Sequence, residues 1–286
     1  PAMTLLRPLA ALFAVALLTG AAQAQTPTAA PALTLYAMDC GRIALTDADM
    51  FADDGSYKNV AKTLVVPCYL IRHPKGDLLW DTGLSQSLAD KPAAPEGGEQ
   101  VTVARKLTDQ LADLGLAPAD IEYLSVSHSH FDHIGNAGLF AASTWIVDPR
   151  ERAHAFRPAA RADAAGFAAY AALENAKTVE IATDAPHDVF GDGAVQVIPA
   201  PGHTPGHTVL LVRLPKAGPV LLIGDLWHIA ESRPARRVPR FNHDRAQTLA
   251  TMDKIEALAR ETGAKVVLQH VAEDFAAMPK FPEGMK

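Results

Sequence analysis

Apolar runs of strand length recur along this chain, and most end on a side chain that can hold a metal or move a proton. Leu33 to Met38, Leu64 to His73 and Leu78 to Trp80 read as strands, the last running into Asp81-Thr82-Gly83. Ile121 to Val126, Val195 to Ile198, Leu221 to Ile223 and Val266 to Leu268 repeat the pattern further along. Apolar residues at helical spacing predict helices over Val103 to Leu114 and Ala246 to Thr262, the second with Leu249, Met252, Ile255 and Leu258 on one face. The Ala-rich stretch from Ala153 to Ala176 is also helical in pattern, with an interruption near Pro158. Gly138 to Ile146 predicts a short turn and a strand, and Val189 to Gln196, with Gly191-Asp192-Gly193, a hairpin. Leu45 to Lys62 is polar with embedded Met50, Phe51 and Tyr57, which fits a loop or flap, and Ala89 to Gln100 is a connector. Strands interleaved with helices predict a layered α/β domain, and neither an internal repeat nor a linker asks for a division.

The chemistry sits at the strand ends, where sites of layered α/β proteins lie. His128-Ser129-His130-Phe131-Asp132-His133 follows the Ile121 to Val126 run and packs four metal-capable side chains into six residues. His128 and His130, two apart, can face one way, while Asp132 and His133 in the turn reach a second point. Pro201-Gly202-His203-Thr204-Pro205-Gly206-His207 follows another strand, with His207 the more structural of its two imidazoles. Asp225 and His270 each end a further apolar run. This predicts two cations: one on His128, His130 and His203, the other on Asp132, His133 and His270, with Asp225 between them. Zinc leads among the ions such an N/O donor set takes, and cobalt, manganese or iron also fit. His228, three residues beyond Asp225, is placed to lean over the pair and contact substrate. His73, His154, His187 and His243 carry no such signal.

Composition and the chain ends add limits. The 286 residues suit one large domain, and 49% hydrophobic content is ample for a core. A net charge of −6 offers no electrostatic case for nucleic acid as a partner. Residues 1–25 read as a secretory signal peptide, with Pro1-Ala2 ahead of Met3 as a cloning remnant, an apolar run from Leu9 to Ala22 and the Ala22-Gln23-Ala24 cleavage site. The expectation is a periplasmic or secreted protein with one domain over residues 26–286, and no membrane association after cleavage. Cys40 and Cys68 can pair in such a compartment, or serve as two small buried apolar groups.

The four segments in this order resemble the metallo-β-lactamase superfamily across roughly residues 34 to 280. The resemblance implies an αββα sandwich of two mixed sheets with helices on the outer faces and a dimetal site at one end. It also implies that Asp81 orients a ligand histidine. Asp39-Cys40-Gly41-Arg42-Ile43, Leu79-Trp80-Asp81-Thr82-Gly83-Leu84, Gly224-Asp225-Leu226-Trp227-His228 and Phe241-Asn242-His243-Asp244 are most similar to the N-acyl-homoserine lactonase family. That similarity implies a metal-dependent hydrolase opening the lactone ring of a small-molecule substrate. Asp132, a ligand with a spare oxygen, can pass a proton to the leaving group, and His228 can donate a hydrogen bond to the oxyanion. Met50, Phe51, Trp227 and Phe241 are candidate walls for an acyl chain, or plain core residues. His228 stands where well-studied lactonases have Tyr, and Val271 where Asp commonly follows the last ligand. The His resembles the methyl-parathion-hydrolase type of organophosphate hydrolase, so triester hydrolysis is the rival activity, with β-lactam or glyoxalase II-like thioester hydrolysis behind it. Related enzymes are often dimers, which makes a homodimer the expectation by resemblance.

Overall fold

The computed structural model describes residues 32–286, and the secretory segment expected over residues 1–25 lies outside them. The first sheet forms where apolar runs pair early in the chain. β1 (Thr34–Leu45) runs well past the expected end at Met38, because a bulge between Asp39 and Arg42 absorbs the polar interruption. Gly41 there adopts φ +140°, and a Cβ at that position would meet Leu84 Cδ1 at 2.5 Å. Gln110 stitches the bulge to a helix, accepting from Asp39 N at 3.1 Å and donating to Asp39 O at 2.8 Å. β2 (Lys62–His73) is buried continuously from Leu64 to Ile71. β3 (Gly76–Trp80), β4 (Glu99–Thr102), β5 (Tyr123–Ser125), β6 (Thr144–Val147) and β7 (Thr178–Glu180) complete a mixed sheet in the order β4-β1-β2-β3-β5-β6-β7. β4 takes residues read as connector, pairing with Arg42 to Leu45 of β1.

The second sheet is β12-β11-β10-β9-β8, built from β8 (His187–Asp188), β9 (Val195–Pro199), β10 (Thr208–Leu214), β11 (Gly218–Leu222) and β12 (Lys265–Val267). β8 and β9 form the expected hairpin, and β10 is a strand the patterning does not single out. The helices are α1 (Leu107–Asp113), α2 (Phe131–Ile134), α3 (Pro149–Ala155), α4 (Pro158–Ala162), α5 (Ala164–Ala168), α6 (Ser232–Ala235), α7 (Arg245–Thr262) and α8 (Ala272–Ala276). The Ala-rich helix is thus three short helices and a 3-10 turn. Pro158 starts α4, and the Asp163 carboxylate, accepting from Gly166 N at 3.1 Å, starts α5. α7 is capped by Asp244, which accepts from Gln247 N, and ends at Gly263 in the left-handed region.

Alternation along the strands builds the layers. Tyr69 and Ile71 of β2, Leu78 and Trp80 of β3 face Val195, Val197, Leu210 and Leu222 between the sheets. The opposite faces, Leu70 and Leu79 on one sheet, Leu211 and Leu221 on the other, pack against Leu107 and Leu111 of α1 and against Met252 and Ile255 of α7. This is the expected αββα sandwich. Truncating one of these side chains to Ala costs about 2–5 kcal/mol. Cys40 and Cys68, on paired strands, are joined by a disulfide.

Candidate metal centre

The loops after β3, β5, β9, β11 and β12 converge, and hydrogen bonds between elements hold them there. Asp81 N donates to Ser125 O at 3.0 Å, Thr82 N to His133 O at 2.7 Å, and Thr208 N to Ser127 O at 2.8 Å, the last joining the two sheets. His128, His130, His203 and Asp225 consequently present donor atoms all within 4.8 Å of one another, and Asp132, His133 and His270 form a second such group. Asp225 lies between them. Its Oδ2 is 3.5 Å from His128 Nε2 and 3.4 Å from His203 Nε2, and its Oδ1 is 3.1 Å from His133 Nε2 and 2.9 Å from His270 Nε2. One oxygen faces each group, as a bridging carboxylate requires. Asp132 Oδ2 sits 3.6 Å from both His133 Nε2 and His270 Nε2. Every sequence-predicted ligand is therefore in the cluster.

The outer nitrogens are tied so that the inner ones point to the centre. His270 Nδ1 is 2.8 Å from Val65 O, His133 Nδ1 is 2.9 Å from Asp81 Oδ2, and His128 Nδ1 is 3.1 Å from Ser127 Oγ. Asp81 is fully buried at a left-handed φ of 57°. It also accepts from Ser127 N, Ser127 Oγ and Gln269 Nε2, at 2.6, 3.0 and 2.7 Å. His207 uses both ring nitrogens away from the two groups: its Nδ1 is 3.0 Å from Ala200 O, and its Nε2 accepts from Asp225 N at 3.0 Å, which seats Asp225. Burial holds His207 down at about 3, so that nitrogen keeps its lone pair.

Burial opposes charge throughout the cluster, and the partners decide which group keeps it. Burial, then the neighbouring His133, holds His128 well below the usual imidazole range, and burial with His203 does the same to His130. Burial also pushes His133 down, but the carboxylates of Asp225, Asp132 and Asp81 outweigh it and raise that ring well above the ordinary value. For His270, Asp225 overcomes burial in the same direction. Asp225 itself, pushed up by burial, is held well below the carboxylate range by His133, His228, His270 and His128.

The donors fit divalent cations. His128 Nε2 and His133 Nε2 are buried with no hydrogen-bond partner, a costly state for a polar atom. Both aim at Asp225 within a mixed N/O set that suits transition metals.

His228 flanks this centre. Its Nε2 lies 2.9 Å from Asp225 Oδ2 but lacks hydrogen-bond alignment, so that nitrogen has no bonded partner. Its ring stacks at 14° on His270 with 5.6 Å between centroids. Burial lowers it to about 4 despite the Asp225 charge, so it is neutral at pH 7. It lines a cavity of about 190 Å³ with Met50, Phe51, Phe131, Asp132 and Phe241. Met50, Phe131 and Phe241 are 43%, 55% and 37% exposed, an apolar mouth over the cluster. Trp227, expected as a possible wall, is instead 1% exposed and packs in the core on the α7 side. Its backbone is extended, which turns it away from the face His228 occupies. Phe131 is a wall that sequence reasoning missed. Its signal was available, since it stands between the ligands His130 and Asp132. Gln269, which directly precedes His270 and donates to Asp81 Oδ2 at 2.7 Å, was missed as well. His73 packs on Phe190 and faces Asp192, and His243 serves through its backbone N, which donates to His203 O at 3.0 Å.

An αββα sandwich with two His/Asp clusters at one end is a metal-dependent hydrolase. The sequence profile of the Metallo-beta-lactamase superfamily matches residues 61–270. The N-acyl homoserine lactonase AttM of Azorhizobium caulinodans is 34% identical over 229 residues, covering 76% of this chain and 86% of that protein. The N-acyl homoserine lactonase AttM of Agrobacterium fabrum is 33% identical over 230 residues, with the same coverage of 76% and 86%. The solved structure of an N-acyl homoserine lactone hydrolase, with the product N-hexanoyl-L-homoserine bound at its catalytic metal centre, aligns with a TM-score of 0.73 at 25% identity. That alignment covers 88% of this chain and 98% of the other. The chain belongs to the metallo-β-lactamase superfamily and, within it, to the N-acyl homoserine lactonase family.

Proposed function

We propose that this protein hydrolyses the lactone ring of N-acyl-homoserine lactones at two divalent cations, zinc first among them. The observation that carries the reading is Asp225, with one carboxylate oxygen toward each histidine group, beneath a cavity with an apolar mouth. His128, His130 and His203 would hold one ion and Asp132, His133 and His270 the other, with Asp225 shared. Bound there, the ions supply Lewis-acid polarisation of the carbonyl and a water of lowered pKa.

The side chains do the rest. Asp132 takes one proton of the attacking water and returns it to the ring oxygen as the ester C–O bond breaks, leaving an alcohol and a carboxylic acid that ionises and releases the other proton to solvent. His228, neutral and facing the cavity, donates from Nε2 to the oxygen that gains charge. Phe51, Phe241 and Met50 exclude water and cradle the acyl chain. Residues 26–286 act as one domain in this reading, exported by residues 1–25, and the Cys40–Cys68 disulfide supports an oxidising compartment.

His228 favours one rival, phosphotriester hydrolysis. The test runs acyl-homoserine lactones, a paraoxon-type triester and a β-lactam side by side in a pH-stat, with metal analysis of the same preparation. Fast proton release from lactones and about two ions per chain is expected. Turnover confined to triesters or β-lactams, or metal-free protein with full activity, overturns the reading.

A further inference from the structure

Two buried carboxylates brace the cluster without belonging to it. Asp81 serves His133. The other, Glu151, lies on α3, is 1% exposed and reaches none of the predicted ligand atoms. Its four hydrogen bonds all go to the two loops that carry the first histidine group. Oε1 accepts from Ser129 N at 2.8 Å and from Ser129 Oγ at 2.7 Å. Oε2 accepts from Thr204 Oγ1 at 2.6 Å and from Gly206 N at 3.1 Å. Ser129 stands between His128 and His130, and Thr204 comes directly after His203. The loops meet α3 so closely that a Cβ on Gly206 would come within 2.2 Å of Glu151 N. The second group gets nothing from Glu151; its His133 is held by Asp81 and its His270 by Val65 O.

We infer that Glu151 is a positioning residue for one cation only, clamping the His128–His130 turn against the His203 loop and setting the affinity of that site. The inference rests on the two-ion reading. A buried carboxylate with every lone-pair direction committed to donors from two loops fixes their separation, and hydrogen bonds to a charged acceptor are the strong kind. Glu151→Gln keeps the shape and breaks the pattern. Whichever way its amide turns, the NH2 group faces either Ser129 N or Gly206 N, and a backbone N–H cannot become an acceptor.

The test titrates metal-stripped wild type and Glu151→Gln with cobalt(II), following each binding step by visible absorption, and measures metal content after dialysis against graded chelator. One step should weaken about 10–100-fold while the other holds, and content should fall from two ions toward one. Ser129→Ala, which removes only the hydroxyl bond, should move the same step less, and it serves as the readout if Glu151→Gln does not fold. Equal weakening of both steps, or two unchanged steps beside a lowered melting temperature, would make Glu151 merely structural and overturn the inference. Wild type that binds no cobalt would instead sink the two-ion reading.

Discussion

The flap over residues 45–62 is seated by a buried apolar cluster that includes Ala48, Phe51, Ala52 and Tyr57 and is tied at its edge by charge, and undoing one ion pair has a calculable effect on substrate binding. Arg240 forks onto Asp49, with Nη1 2.6 Å from Oδ2 and Nη2 3.0 Å from Oδ1. Arg245 Nε meets Asp53 Oδ2 at 2.5 Å, and Arg237 Nε meets Asp54 Oδ2 at 3.1 Å. Phe51 rides on this segment, its ring centroid 5.0 Å from that of His228 and 5.4 Å from that of Phe241. The seating of the flap therefore shapes the apolar wall of the cavity. The Arg240 and Asp49 side chains are 50% and 24% exposed, so solvent screens the pair and its contribution stays within about 1 kcal/mol. Arg240→Ala then shifts the balance between seated and lifted flap by about fivefold at most. The flap does not come loose, because Arg240 N still donates to Met50 O at 2.8 Å and the Tyr57 and Ser232 hydroxyls still bond at 2.9 Å. Initial rates with N-hexanoyl-homoserine lactone should show KM raised, by about fivefold at most, with kcat close to wild type. About 1 M salt, where the screening length falls to ~3 Å, should move wild type toward the variant. A KM unmoved by both mutation and salt, or a loss confined to kcat, would refute the argument.

Asp81→Asn keeps a residue type that tolerates the left-handed backbone but strands one buried donor. It should lower stability by about 1–3 kcal/mol and weaken metal binding about 10–100-fold, and a calorimetric scan with a metal titration checks both. Replacing Cys40 and Cys68 together by Ser opens a link across 28 positions; chain entropy predicts a loss of about 3–4 kcal/mol, read from urea unfolding against oxidised wild type. His228→Phe should keep its ions and lose turnover by roughly 10²-fold. Metal content and kcat measured on one preparation decide it, and wild-type kcat would remove His228 from the reaction.

The clustered metal-capable residues were legible because cation chemistry restricts residue type. Only a few side chains can hold such ions, and His128, His130, Asp132 and His133 crowd them into one turn. His203, Asp225 and His270 could be added because each ends an apolar run, and parallel and antiparallel pairing brings those ends together. The sandwich came from the family resemblance, since the pattern of strands and helices alone does not fix how the sheets pack. What stayed hidden depends on contacts between distant residues or on local backbone direction. Glu151, just ahead of the Ala-rich stretch, looks like one more surface acid until Ser129 and Thr204 are seen to donate to it. β1 appeared to end at Met38 because a bulge hides the continuity that pairing with β2 restores. Trp227 could be read either as a cavity wall or as a core residue, and its extended backbone, which points neighbours opposite ways, puts it in the core.

The residues that shape this centre are mostly not its ligands, and that decides how the protein should behave when its ions are removed. Asp81 reaches Gln269 across 188 positions, His270 leans on Val65 O across 205, and Glu151 joins Ser129 to Thr204. None of these bonds needs a cation to form. A small domain whose only core is its metal unfolds on chelation, but here two sheets and their helices bury a core of their own. Stripping the ions should therefore leave the fold in place and remove only the stabilisation that binding adds by mass action, about 4 kcal/mol for each ion when free metal exceeds its dissociation constant a thousandfold. For a domain of this size that is a fall in Tm of roughly 8–16 °C per ion, reversed by adding zinc or cobalt. Far-UV circular dichroism of the chelated protein at 25 °C should match the loaded form. Loss of that signal on chelation would show that the cations build the site rather than occupy it.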